Sequence, residues 1–205
     1  MRKVTLLFAI IVASTILAGT ASAEDINGRL GISGKIGFNV PSGTIVNNSA
    51  QTELKSDSDF TTGGGLVFGL SSWLALEADV TYTPQTDFKL NGQKVFKMET
   101  IIPSIGLQVR NNILEDHLAA YLGGGVDLLV AYPTDSAGNK ADVDTVVGGH
   151  INGGGDYFIT KNFALNLDLR GIFFGKTDIT SGSTKFGEYD PITFVATVGV
   201  KWFPW

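Results

Sequence analysis

Residues 162–174 read NFALNLDLRGIFF, and their side chains alternate with a period of two. Phe163, Leu165, Leu167, Leu169 and Phe173 fall on one side, against Asn166, Asp168 and Arg170 on the other. Successive side chains of a strand point to opposite faces, so this segment has one apolar face and one charged face. A period of 3.6 would mix the two sets all round a helix.

The same pattern recurs on both sides of it. In residues 28–40, Leu30, Ile32, Ile36, Phe38 and Val40 are apolar, while Arg29, Ser33, Lys35 and Asn39 alternate with them. Residues 73–82 set Leu74, Leu76, Ala78, Val80 and Tyr82 against Glu77, Asp79 and Thr81. The last run carries Ile192, Phe194, Ala196, Val198, Val200 and Trp202 on its apolar face. Eight such segments are predicted, near 28–40, 61–71, 73–83, 96–110, 117–131, 144–159, 162–175 and 191–203. Connections after the second, fourth and sixth are short, whereas those after the first, third, fifth and seventh are longer and polar. Short periplasmic turns and long extracellular loops are the habit of transmembrane barrels. The expected fold is all-β: an eight-stranded antiparallel up-and-down transmembrane β-barrel, with both ends on the periplasmic side.

The start of the chain fits export. Arg2 and Lys3 precede an apolar run from Val4 to about Ala18, and Ala21 and Ala23 form an A-x-A cleavage pattern. A cleaved signal peptide of residues 1–23 is expected, leaving 24–205 as one barrel domain in a Gram-negative outer membrane. The apolar run is shorter than the roughly 20 residues a spanning helix needs. The 205 residues include no cysteine, which excludes disulfide scaffolds and thiol chemistry. A net charge of -5 argues against nucleic acid as a partner. Two histidines leave little material for a metal cluster, and no cofactor is expected.

Alternation alone does not say which face is outside, and a soluble lipocalin-like barrel would turn its apolar face inward. Three features favour the membrane. The polar face mixes charge with Gly63, Gly65, Gly69, Gly123, Gly125, Gly154 and Gly199, small residues that suit a crowded narrow interior. The apolar faces run about nine to eleven residues, the reach of a tilted spanning strand. In the fourth segment Lys97 and Glu99 interrupt that face near its long-loop end, and it then continues through Ile101, Pro103, Ile105, Leu107 and Val109. Finally, Trp73, Tyr157, Phe163 and Trp202 lie beside short turns, and Phe38, Tyr82, Tyr132 and Phe173 near long loops. These form two girdles where amphipathic rings meet the membrane interfaces.

By parity the interior receives Arg29, Lys35, Arg170 and Lys201 against Glu77, Asp79, Asp127, Asp156 and Asp168. Nearly balanced signs suit a narrow interior, because an unpaired buried charge is costly. The set reads either as a salt-bridge network that fills the barrel or as a polar route for small solutes. Eight strands leave an interior barely wide enough for side chains, which argues against a general porin. His150 also faces the lumen, with Asn152 beside it, and His117 sits in a turn beside Asp116. Neither makes a nucleophile–base set in the sequence, so no catalytic residue and no enzyme are expected. In the 41–60 loop, Glu53, Lys55, Asp57 and Asp59 read as a solvated tip.

Four stretches resemble the OmpW family of small outer-membrane barrels: IIPSIGLQVR (101–110), HLAAYLGGGVD (117–127), GGHINGGGDYFITKNFALNLDLRGIFF (148–174) and YDPITFVATVGVKW (189–202). Residues 61–84 are similar but less specific. The resemblance implies a monomeric barrel, in contact with outer-membrane lipid, for passage of small hydrophobic molecules across the outer membrane. It also implies a lumen that opens sideways, with Pro103 at the position tied to that opening. The alternative is a structural or adhesive barrel that acts through its loops. Trp202 stands where the family's terminal phenylalanine falls, a place read by the barrel-assembly machinery. Phe203, Pro204 and Trp205 extend beyond it, so either Trp202 or Trp205 is the expected assembly signal.

Overall fold

The computed structural model describes residues 25–41, 45–47, 52–56, 58–90, 93–113, 117–135, 145–175, 177–181, 184–189 and 192–204. The expected signal peptide, Asp57, Asp116 and Trp205 lie outside the described residues. All regular structure among them is strand: β1 (Leu30–Pro41), β2 (Ile45–Asn47), β3 (Thr52–Ser56), β4 (Asp59–Gly69), β5 (Leu74–Leu90), β6 (Gln93–Ile113), β7 (Leu118–Asp135), β8 (Val146–Thr160), β9 (Phe163–Phe174), β10 (Thr177–Ser181), β11 (Thr184–Tyr189) and β12 (Ile192–Trp202).

Eight of these wind into a closed barrel in the order β1-β4-β5-β6-β7-β8-β9-β12. Closure comes from β1, which pairs antiparallel with β12 from Ile32–Trp202 to Pro41–Thr193 and with β4 on its other side. No edge is left, as hydrocarbon requires when it offers backbone groups no partner. The eight staves fall on the eight alternating segments. Along β9 the alternation is complete: exposed Phe163, Leu165, Leu167, Leu169 and Phe173 against buried Ala164, Asn166, Asp168, Arg170, Ile172 and Phe174. Exposed leucine, isoleucine, valine and aromatic side chains continue around the outside, so the apolar face points outward and the polar face inward.

The long-loop end differs from the expected polar loops. β5 and β6 run on as a hairpin to Leu90 and Gln93, past a register shift between Thr83 and Thr86. Pro84 and Gln85 occupy that irregularity, and a bulge of this kind breaks the alternation that would have announced the extension. β2 and β3 pair with each other, as do β10 and β11; β11 pairs with β2 and β3 with β5. The 41–60 segment, read as a solvated tip, thus carries two short strands.

At the short-turn end, Gly28 adopts a φ of 71° and turns the chain so that its N–H bonds Gly69 O at 2.8 Å. That turn lays Ile26 across the barrel mouth, where it is buried with Val67, Ala75, Ala119, Phe158, Ala164 and Phe203.

Candidate functional site

The lumen has three layers. The first is the apolar plug at the short-turn end. Phe203, one residue past β12, turns inward and is 0% exposed. Its ring stacks on Phe158 at 5.8 Å between centroids, and the Arg29 guanidinium lies 5.4 Å from its centroid. Its carbonyl accepts from Asn162 Nδ2 at 2.6 Å and Arg29 Nη2 at 3.2 Å. Gly31 makes the room, since a Cβ there would meet the Phe203 ring at 2.5 Å. Arg29, expected in the lumen network, therefore stands at the rim and caps this plug. Trp202 faces outward and stacks on Phe163 at 6.1 Å. Trp202 and Phe203, adjacent in sequence, thus serve opposite sides of the wall.

The second layer is polar. Asp79 holds Lys35 Nζ at 3.0 Å and Arg170 Nη2 at 2.7 Å, and Arg170 also reaches Glu77 at 3.3 Å and Asp168 at 3.6 Å. Asp156 holds Arg110 and, at 3.0 Å, Lys201 Nζ. Neutral groups complete the bonding. Gln108 donates to Glu77, Tyr121 and Asn152 donate to Asp168, and Asn166 donates to Asp156. Four cations thus meet four acids (Glu77, Asp79, Asp156 and Asp168), and the fifth acid, Asp127, pairs with His150 Nδ1 at 2.8 Å. Buried charges are tolerable only with such full pairing.

Asn166 stands on the polar face the sequence assigns to residues 162–174; Arg110, Gln108 and Tyr121 are additions from the structure, although the alternation that puts Ile101, Pro103, Ile105, Leu107 and Val109 outside puts Gln108 and Arg110 inside. His117 borders Tyr157, ring centroids 6.4 Å apart. Ser104 Oγ donates to Asp127 rather than to the His150 imidazole. The hydroxyl therefore faces a carboxylate already shared with His150, and not the imidazole itself.

The third layer, toward the long loops, is apolar again: Ile102, Leu129, Ile172, Phe174 and Val195, with Val146 packed against them. Here the wall is imperfect. The β6–β7 ladder pairs Ile101 with Val130 and Ser104 with Asp127, but skips Ile102/Leu129 and Pro103/Leu128. Pro103 has no N–H to offer the Leu128 carbonyl, and the loss of that one donor removes both pairings. On its other side Pro103 pairs normally with Val80. The seam is held just below the gap by the Ser104–Asp127 bond. A hydrogen bond to a charged group is worth about 1.5–3 kcal/mol, at least as much as the backbone bond the proline forfeits.

The sequence matches the outer membrane protein beta-barrel domain family over residues 9–202. The chain belongs to that family. As an outer membrane beta-barrel protein it resides in the outer membrane, where barrels of this kind keep their short turns periplasmic and their long loops extracellular. Its fold is shared by OprG from Pseudomonas aeruginosa, with a TM-score of 0.66 and 17% identity over 89% of this chain and 99% of that one. It is shared by AlkL, solved in lipid bilayers, with a TM-score of 0.62 and 20% identity over 90% and 93%. The Neisserial surface protein NspA has a TM-score of 0.58 and 14% identity over 85% and 96%. At these identities the likeness concerns the fold. No curated protein matches the sequence.

Proposed function

We propose that this outer membrane beta-barrel passes small hydrophobic molecules, taking them into the apolar extracellular half of the lumen and releasing them sideways between β6 and β7 at Pro103. The observation that carries this reading is a coincidence of position. The two skipped pairings bring Ile102 and Leu129 together, and both belong to the apolar lumen cluster. The weak place in the wall therefore adjoins an apolar part of the outer lumen that would solvate an apolar molecule. Onward movement along the axis meets the paired charges and then the Phe203 plug, which favours a sideways exit. The OmpW resemblance of residues 101–110, which include Pro103, supports the same substrate class.

The test uses cysteines at residues 102 and 129, in a chain with none of its own. Facing non-hydrogen-bonded residues of antiparallel strands have Cα atoms about 4.5 Å apart, within disulfide range. In proteoliposomes, oxidation should stop uptake of a linear alkanol and reduction should restore it. Uptake indifferent to the staple, or unchanged in Pro103→Ala, would remove the lateral route. The adhesive alternative draws on β10, which has a partner only on its β11 side among the described residues. An unpaired strand edge is a site where another chain can add. Deleting residues 176–191 separates the two readings: lost surface attachment with unchanged uptake favours adhesion.

A further inference from the structure

We propose that Ser104, Asp127 and His150 form a latch that confines the β6–β7 gap, and thereby set the girth of the solute that passes through the wall. This inference rests on the lateral reading above and names what selects among solutes there.

Asp127 is fully buried, and its carboxylate is shared between two neighbouring strands. Ser104 Oγ on β6 donates to Oδ1, and His150 Nδ1 on β8 lies 2.8 Å from Oδ2. Three consecutive staves are therefore tied at a single level. That level is the first intact rung on the periplasmic side of the gap, Ser104/Asp127. Gly125, two residues below Asp127 on the same face, lets both neighbours approach; a Cβ there would collide with the Ile105 carbonyl of β6 and meet His150 Cε1 at 2.8 Å.

The extracellular side of the gap is built differently. The rung there is Ile101/Val130, and the next inward pair is Thr100/Ala131. Thr100 Oγ1 is buried without a hydrogen-bond partner, and Ala131 has no polar group to offer it. Among the described residues no side-chain hydrogen bond across β6 and β7 on that side matches the one below. Strands parting at Pro103 are thus stopped toward the periplasm by a charged hydrogen bond, while the first inward pair on the other side, Thr100/Ala131, supplies none. The rungs at 101/130 and 104/127 lie three residues apart, so strands parting between them would open a window about 10 Å long along the strand. A flexible alkyl chain or a single ring fits such a window edgewise, whereas a rigid fused-ring molecule needs it lengthened.

Asp127 also stands apart from the charge network, since its partners are Ser104 and His150 rather than Arg or Lys. A carboxylate that served only to neutralise the lumen would sit against the arginines. One that ties β6 to β8 across β7 belongs where the wall must not spread.

The experiment reads the ratio of fused-ring to linear uptake, using pyrene and a linear alkanol in proteoliposomes. Ser104→Ala removes the β6 tie and leaves Asp127 with His150. A protein carrying both Ser104→Cys and Asp127→Cys loses the latch when reduced and regains a firmer one when oxidised. The ratio should rise about tenfold in Ser104→Ala and in the reduced double variant, the factor one such hydrogen bond represents. Oxidation of the same double-variant sample should return it to the wild-type value or below. Because one preparation is read in both redox states, a folding defect does not mimic the result. A ratio that ignores the redox state while linear uptake persists overturns the latch and leaves the lateral route standing. Linear uptake that survives the 102–129 staple overturns the lateral route, and the latch with it.

Discussion

Arg170 on β9 reaches across the lumen to Asp79 on β5, placing Nη2 2.7 Å from the carboxylate. In the ring of eight staves these two strands stand opposite each other, so the pair ties the barrel across its diameter. Arg170→Ala should leave Asp79 with Lys35 alone and Glu77 with Gln108. Breaking a buried pair by removing one partner costs about 3–5 kcal/mol. A lower urea midpoint, read from the electrophoretic shift between compact and unfolded forms, checks this. Replacing Asp79 by leucine as well should not recover the loss, because Lys35 then loses the carboxylate it is paired with.

Leu167 lies outward on the same strand and is exposed. Leu167→Arg should destabilise the barrel by about 2–4 kcal/mol in a bilayer, the cost of a cation near the membrane midplane. Unfolding in lipid vesicles measures it. A neutral result would mean that this face is not in hydrocarbon.

Two glycines should respond in opposite ways. An added Cβ at Gly34, which points away from the lumen, meets nothing within 4 Å. Gly34→Ala should be neutral or stabilising by about 0.4–1 kcal/mol, because it restricts the unfolded chain. At Gly154 the Cβ would collide with the Leu167 carbonyl and the Tyr121 hydroxyl, the latter at 2.5 Å. Gly154→Ala should therefore destabilise and disturb the Tyr121–Asp168 bond. Comparing the two urea midpoints in one detergent decides it.

Phe203→Ala should cost about 3–5 kcal/mol, as removal of a buried phenylalanine does. The loss should appear as unfolding of the compact, unheated form at a lower temperature on gels. Phe203→Leu, which keeps an apolar plug, should recover most of it. Equal temperatures for wild type and Phe203→Ala would show that the plug adds nothing to the closed barrel.

The staves and most of the lumen charges were legible because both follow from one local rule, alternation. Lys35, Glu77, Asp79, Asp127, Asp156, Asp168, Arg170 and Lys201 can each be placed by parity from adjacent leucines, isoleucines and valines. What parity does not carry is depth and partnership. Nothing local says that Arg170 meets Asp79, because their pairing depends on how far each stave is shifted around a closed ring. Tyr121 was hidden by the alanines and glycines beside it, which blur the contrast between faces. Phe203 looks like tail in the sequence because the strand pattern ends at Trp202, and its pocket is assembled from residues distant in sequence. The outer strands escaped for a related reason: Thr, Ser and Lys on both sides leave no hydrophobic contrast, and β11 meets β2 across more than a hundred residues.

The pocket around Phe203 also bears on the order of events during folding. Its walls come from Arg29 and Gly31 near the first strand and from Phe158 and Asn162 around the β8–β9 turn. No partly wound sheet holds all four, so the ring finds its place only once the first and last staves have met. A probe of solvent access at residue 203 would therefore time the final step of barrel formation, separately from the appearance of strand structure.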